Sequence, residues 1–182
     1  MKTNLPAPFM QAAAGVPVMA AGKVGWQAPR FWETEARIYG GISWTTDTID
    51  QIWYPSSGFL SAKGVLTGGY MHNKAAIEFN ARPLAERLAI AREQGERLHP
   101  GFAKYVEHGL ALGWHRMEHQ EGAWADETGR EFGERAKILA QPQGRFHVAG
   151  DQITYWSGWQ EGAILAAWHA VKAIDGQART AG

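Results

Sequence analysis

The stretch GDQITYWSGWQEGAILAA, Gly150–Ala167, decides the fold. It reads as a loop that leaves a strand and runs straight into a helix. Upstream, Arg145–Ala149 (RFHVA) has the β-branched and aromatic character of a short strand. Downstream, Ser157-Gly158-Trp159-Gln160 fits a capping box. There Ser157 caps an orphan helix amide and Gln160 reaches back to the Ser157 backbone N–H. The spacing predicts a helix from about Trp159 to Ile174 and a frayed tail over Asp175–Gly182. Small residues at Gly162, Ala163, Ala166, Ala167 and Ala170 leave room for another element to come close. A helix that starts this sharply points free N–H groups out of its first turn. Those groups and the positive end of the dipole favour an anion or an electron-rich ring edge. On pattern alone, an ordinary capped amphipathic helix explains the same residues.

Moving outward, the N-terminal half changes period. Lys23–Trp32 alternates loosely, and Ile38–Trp44, Ile49–Tyr54 and Val65–Met71 are β-branched or aromatic runs. Turn formers separate them at Gly40-Gly41, Pro55-Ser56-Ser57-Gly58 and Gly68-Gly69, so a sheet of about four strands is expected. From Pro83, which suits a first helical position, Leu84, Leu88, Ala91 and Leu98 fall at helical spacing. Phe102–Leu112 is a second helix candidate, Leu112–Met117 returns to strand, and Gln120–Gly144 reads as an irregular link. Strands, then helices, then one strand and one helix indicate the α+β class, with a mixed sheet, rather than a regular βαβ alternation.

Composition narrows the chemistry. The 182 residues suffice for one domain that buries roughly two thirds of its surface. Lys plus Arg and Asp plus Glu each total 18 with no run of like charge, which argues against nucleic acid and anionic membrane partners. Cysteine is absent, so disulfides, thiolate catalysis and Cys-ligated metals are excluded, and a cytoplasmic location is expected. The segment Met1–Gly25 lacks a signal-peptide core, and no run approaches the ~20 apolar residues of a membrane span. Nine tryptophans exceed what a small core absorbs, so some are expected to line a pocket or an interface.

The segment Gly150–Ala167 resembles the flavin-contacting C-terminal segment of the flavin amine oxidases, bacterial L-amino acid oxidases in particular. Upstream, Lys23–Glu33, Tyr39–Trp44, Gln51–Gly58 and Gly64–Tyr70 resemble strands of that family's substrate domain, and His99–Met117 its last helix and strand. The likeness runs from about Pro6 to Ile174. It implies a substrate-domain portion over 1–120 and the C-terminal part of an FAD-binding domain over 121–182. It also implies FAD as cofactor, touched by Gly150, Asp151, Trp159, Gln160 and Ala163. Asp151 would hold the ribityl or phosphate end, and the Trp159–Gln160 backbone would face the flavin carbonyl. Lys23 matches the family's active-site lysine, which holds a water near flavin N5. Trp124 and Trp159 match the two aromatic walls of the substrate cage, where π faces desolvate the amine and orient its C–H bond. Read without the resemblance, Lys23 is a lysine whose stem covers apolar surface, and both tryptophans are core residues. Where some relatives attach flavin through cysteine, this chain has Ala123, which implies non-covalent FAD.

No GxGxxG follows a strand anywhere in the sequence, although a dinucleotide fold needs those glycines for close approach to the pyrophosphate. The N-terminal βαβ unit and the arginine that grips an amino acid carboxylate are therefore expected on a partner chain, in a hetero-oligomer acting on a small amine or amino acid. Two rivals belong to other classes. His115–His119 (HRMEH) matches the H-x-x-E-H zinc pattern, which needs a helix and a third ligand such as Glu131 or Glu134. The other rival is a non-catalytic binding or regulatory fragment of the same fold.

Overall fold

The computed structural model describes residues 4–126 and 129–181, with 129–131 and 181 described by backbone alone. In chain order the helices are α1 (Ala7–Ala14), α2 (Phe31–Thr34), α3 (Asn73–Asn80), α4 (Leu84–Leu98), α5 (Phe102–Tyr105), α6 (Gly129–Ala140) and α7 (Gln160–Ala181). The strands are β1 (Ala21–Pro29), β2 (Gly41–Trp44), β3 (Gln51–Tyr54), β4 (Lys63–His72) and β5 (Glu107–Gly113). The chain forms two compact units. One is Ala20–Gly122, and the other joins Met1–Met19 to Ala123–Gly182.

The unit Ala20–Gly122 is a five-stranded sheet in the order β2-β3-β4-β1-β5. The α+β class holds, and every ladder is antiparallel where a mixed sheet was the expectation, because β1 runs against both of its neighbours. The fifth strand comes from a segment read as helix. Phe102–Tyr105 makes a single helical turn, after which Glu107–Gly113 pairs with β1. Sheet pairing, with Ala111 and Gly113 buried, overrides local propensity there. Leu112–Met117 is accordingly not a strand: the ladder ends at Gly113 and a 3-10 turn spans Trp114–Arg116.

Strand alternation puts Val24, Trp26 and Ala28 of β1, Ile52 and Tyr54 of β3, and Leu66 of β4 on the helix-covered face with Phe79, Ala91 and Phe102. Full burial of Phe79 and Phe102 contributes roughly 1.5–3 kcal/mol each. Trp26 fits because its neighbours have no side chains. A Cβ on Gly68 or Gly109 would lie 2.4 or 2.3 Å from its ring.

Arg30 and Glu33 are buried together beside this core. Arg30 Nε donates to Glu33 Oε1 at 2.8 Å and Nη2 to the Ser57 carbonyl at 2.8 Å, while the Leu60 amide donates to Glu33 Oε2 at 2.7 Å. The pair thus pins the loop between β3 and β4. The Arg30 hydrogen bond, with that from Leu60, holds the Glu33 carboxyl below its usual value against the opposing effect of burial. A lowered carboxyl pKa means that its stabilisation is complete above the unfolded value of about 4.3 and is lost as pH falls through the folded value. Acid titration should therefore release the 57–60 loop below about pH 4. Hydrogen exchange at the Leu60 amide checks this, and Glu33→Gln should remove the transition. Protection at Leu60 that persists unchanged to pH 2 would contradict it.

The second unit carries a smaller core of Phe9, Ala12 and Leu139, flanked by Leu5, Val16, Val148 and Ile153. Its α6 lies in the stretch read as irregular. Phe132 and Leu139, seven apart, share the buried face, but two glycines and a charged flank hide that period in the sequence. Arg145–Ala149 is not a strand: Arg145 lies in a turn, and among the described residues only the isolated bridge Gln143–Phe146 forms there. The expected frayed tail is helical through Ala181. No helix among the described residues is long and apolar enough to cross a membrane.

Candidate functional site

In the unit closed by α7, the segment between Gly150 and Gly162 is held by its own polar groups. Gly150 sits at φ 149°, a conformation that only glycine adopts readily. A 3-10 turn, Asp151–Ile153, follows. Asp151 Oδ2 accepts the Gly158 amide at 2.6 Å, and Thr154 Oγ1 accepts the Trp156 amide at 3.3 Å. The Ser157 hydroxyl donates to the Ala125 carbonyl at 2.6 Å. That bond replaces the expected capping box. The helix begins at Gln160, three residues past Ser157, so Ser157 is too early to cap it and instead ties the turn to the segment after Trp124. Among the described residues, the amides of Gln160, Glu161 and Gly162 find no backbone acceptor outside the helix, as the first turn of a helix requires.

Trp124 lies beneath this turn. A Cβ on Gly158, at φ 79°, would stand 3.2 Å from Trp124 Cγ and 3.4 Å from Cδ1 and Cδ2, so the glycine Cα rests on the indole face. The Trp124 backbone is itself fixed. Its carbonyl accepts the Met19 amide at 2.8 Å, and Val18 bridges Ala125. Trp159, the residue after Gly158, is 70% exposed. The structure thus gathers Asp151, Trp124 and Trp159 around one turn, with Gly150 and Gln160 at its two ends and Ala163 in the first helical turn. Asp151 spends one carboxylate oxygen on the turn itself.

Lys23 belongs to the other unit. In β1 it lies opposite Tyr70 of β4 and Leu112 of β5, on the sheet face away from the helices. Its Nζ stands 4.4 Å from the Tyr70 ring centroid. Tyr70 in turn contacts Trp53 at 5.8 Å and His72 at 4.5 Å between centroids, and burial pushes its phenol up. Ile42, Trp44, Trp53, Val65 and Leu110 leave this face largely exposed and apolar. A β-bulge creates the pairing. Val24 pairs with Gly69 but Gly25 with Thr67, so the extra residue returns Tyr70 to the face of Thr67 and Lys23. Sequence reasoning missed Tyr70, although two glycines within a strand are the usual mark of a bulge or close approach.

The zinc pattern does not meet its requirement. His115–His119 begins in a 3-10 turn and continues as turns, so residues four apart do not share a helical face. Among the described residues no group of three His, Asp or Glu is placed to hold a metal. Glu134 pairs with Lys137 at 3.1 Å, and the Glu131 side chain lies outside the described residues.

The profile described as flavin containing amine oxidoreductase matches residues 1–175. The flavin-dependent L-tryptophan oxidase RebO of Lentzea aerocolonigenes is 27% identical over 180 residues, which cover 95% of this chain and 38% of that protein. An L-amino-acid oxidase of Siganus canaliculatus is 30% identical over 151 residues, 81% of this chain and 28% of that protein. Among solved structures, cyclohexylamine oxidase from Brevibacterium oxydans IH-35A superposes with a TM-score of 0.78 at 21% identity, over 96% of this chain and 39% of that one. The chain therefore spans about two fifths or less of the length of these relatives.

Proposed function

The chain belongs to the flavin containing amine oxidoreductase family, and from that membership we propose that it supplies the substrate-facing sheet and the ring-facing helix start of an FAD-dependent L-amino acid oxidase. Its complement is the remaining part of the family fold, with the glycine-rich nucleotide-binding unit and the carboxylate-gripping arginine, most simply on a partner chain. Curated relatives named as L-amino-acid oxidases favour an amino acid over a simple amine as substrate.

One observation carries the reading: a turn closed by the Asp151 carboxylate packs Gly158 on the Trp124 indole and leaves Trp159, Gln160 and Glu161 exposed at the helix start. The amides of Gln160 and Glu161 suit the electron-rich edge of a flavin. When bound, FAD would supply the two-electron oxidation of the amine-bearing carbon, with O2 as the final electron acceptor. The chain's own share is positional. Trp124 and Trp159 strip water from the substrate amine and fix its approach. Asp151 sets the direction of Trp159 by capping Gly158. Lys23, whose Nζ stands over the Tyr70 ring, would hold the water that the family resemblance assigns to it. Ala123 offers no thiol, so FAD is held without a covalent bond.

The docking face for the complement is on α7. Ile164, Trp168 and Val171 are all exposed and recur at i, i+4 and i+7, an apolar stripe that this chain leaves uncovered. The experiment is co-expression with the complementary part, followed by an absorption spectrum of the complex. Oxidised-flavin bands are expected, with the flavin set free by denaturation and bound at least tenfold more weakly in Trp159→Ala and Asp151→Ala. A complex that forms without flavin identifies a non-catalytic fragment. Unaltered bands in both variants would sink the assignment of this turn to the cofactor.

A further inference from the structure

We propose that a cavity at the start of α4 binds a small oxyanion of the phosphate class. It measures about 430 Å3, within the range of small-molecule sites, and its lining includes Arg82, Leu84, Arg87, Leu112 and Arg116. Every charged side chain in the lining is an arginine. Glu86, outside the lining, pairs with Arg82 at 2.7 Å.

Arg87 and Arg116 are held by neutral groups. Arg87 Nη1 donates to Asn80 Oδ1 at 2.9 Å and to the Ala111 carbonyl at 3.2 Å. Arg116 donates to the Asn80 carbonyl. Asn80 cannot move to relieve them. It is fully buried, its Nδ2 donates to the Ala76 carbonyl at 2.8 Å, and it fills slots at Gly22 and Gly113 where a Cβ would stand 2.3 and 2.6 Å from it. One rigid asparagine therefore fixes two like charges, and among the described residues no carboxylate pairs with either. The Arg87 Nε–H is moreover buried without an acceptor. Burial and the Arg116 charge hold Arg87 below its usual pKa, and it stays a cation.

Keeping two guanidinium groups together on neutral acceptors costs free energy through mutual repulsion and desolvation. An anion between them and Arg82 reverses the sign of that cost. Planar guanidinium forks match oxyanions in a way that a spherical halide cannot use. The first turn of α4, which opens into the same cavity at Leu84, adds its positive end. This site lies within the sheet-bearing unit, and its existence does not depend on the flavin reading.

The test uses the chain as it is, with sodium phosphate as probe. Phosphate should broaden its own 31P resonance saturably in the protein's presence. It should also raise the melting temperature beyond sodium chloride or sodium acetate at equal ionic strength. Arg82→Gln, which removes an exposed side chain paired with Glu86, should weaken half-saturation several-fold. Arg82→Gln with Arg116→Gln should weaken it at least tenfold. Equal shifts from chloride or acetate, an unsaturable phosphate response, or undiminished affinity in Arg82→Gln would overturn the site, and the last of these does so even if the double variant fails to fold.

Discussion

Replacing Lys23 with methionine should slow turnover of the assembled oxidase by about 10²–10⁴-fold, the range expected when a positioned proton-transferring group is lost. Its stability should hardly change. Methionine keeps the stem that lies along the sheet and removes only the ammonium. Strand β1 is hydrogen-bonded on both edges, to β4 and to β5, so position 23 has no freedom to turn away. The side chain is fixed at its far end too, by the Tyr70 ring 4.4 Å beneath Nζ. A flexible surface lysine has neither constraint. Rapid-mixing kinetics separate the two halves of the cycle. Under the proposed role of Lys23, the loss should fall on the proton-transfer steps, while substrate binding, read from KM, stays close to the parent value. Tyr70→Phe should be mild because it retains the ring, and Tyr70→Leu should approach the Lys23 variant. If Lys23→Met turns over at the parental rate in both half-reactions, the lysine is a covering residue of an apolar sheet and nothing more.

That the sheet face was readable at all follows from period. Lys23, Gly25 and Gln27 alternate with Val24, Trp26 and Ala28, and the burial observed repeats that alternation residue for residue. Tyr70 was not readable, because its direction depends on one unpaired residue opposite Val24 and Gly25, and a bulge changes side-chain direction without changing composition. The same limit explains β5. Glu107–Gly113 has a weak local preference, and only the waiting edge of β1 and the slot for Trp26 at Gly109 make it a strand. In the other unit, Ser157 and Gln160 satisfy the capping pattern as letters, yet the Ser157 hydroxyl is taken by the Ala125 carbonyl, a contact 32 residues away. Asp151 was singled out through the resemblance alone, and its local task of accepting the Gly158 amide was not legible. Local rules located β1 to β4, α4 and α7. Long-range acceptors and the shape of a neighbouring ring decided what individual side chains do in them.

Two glycines of the same helix should respond to alanine with opposite signs, and the contrast isolates the turn that the cofactor reading needs. At Gly176 a Cβ meets nothing within 4 Å, so Gly176→Ala gains helix propensity and should stabilise the unit by about 1 kcal/mol. At Gly162 a Cβ would stand 2.4 Å from both the Trp156 carbonyl oxygen and Thr154 Oγ1. The hydroxyl could rotate, but the carbonyl belongs to a backbone tied down by the Asp151–Gly158 bond on one side and the Trp159 amide, 3.1 Å from that same oxygen, on the other. The clash is therefore relieved only by pulling α7 away from the turn. Overpacking of this kind costs about 1–3 kcal/mol, and here it exceeds the propensity gain. In Gly162→Ala the Trp159 amide should lose its bond to the Trp156 carbonyl and the helix-start amides should lose their common direction. The assembled protein should then fail to retain flavin even though the sheet-bearing unit keeps its melting behaviour. Amide chemical shifts of Trp156 to Ala163 and the flavin spectrum report the two consequences separately. If Gly162→Ala binds flavin as well as Gly176→Ala does, the close packing of helix start on turn has no bearing on the cofactor. The ring must then meet this chain elsewhere.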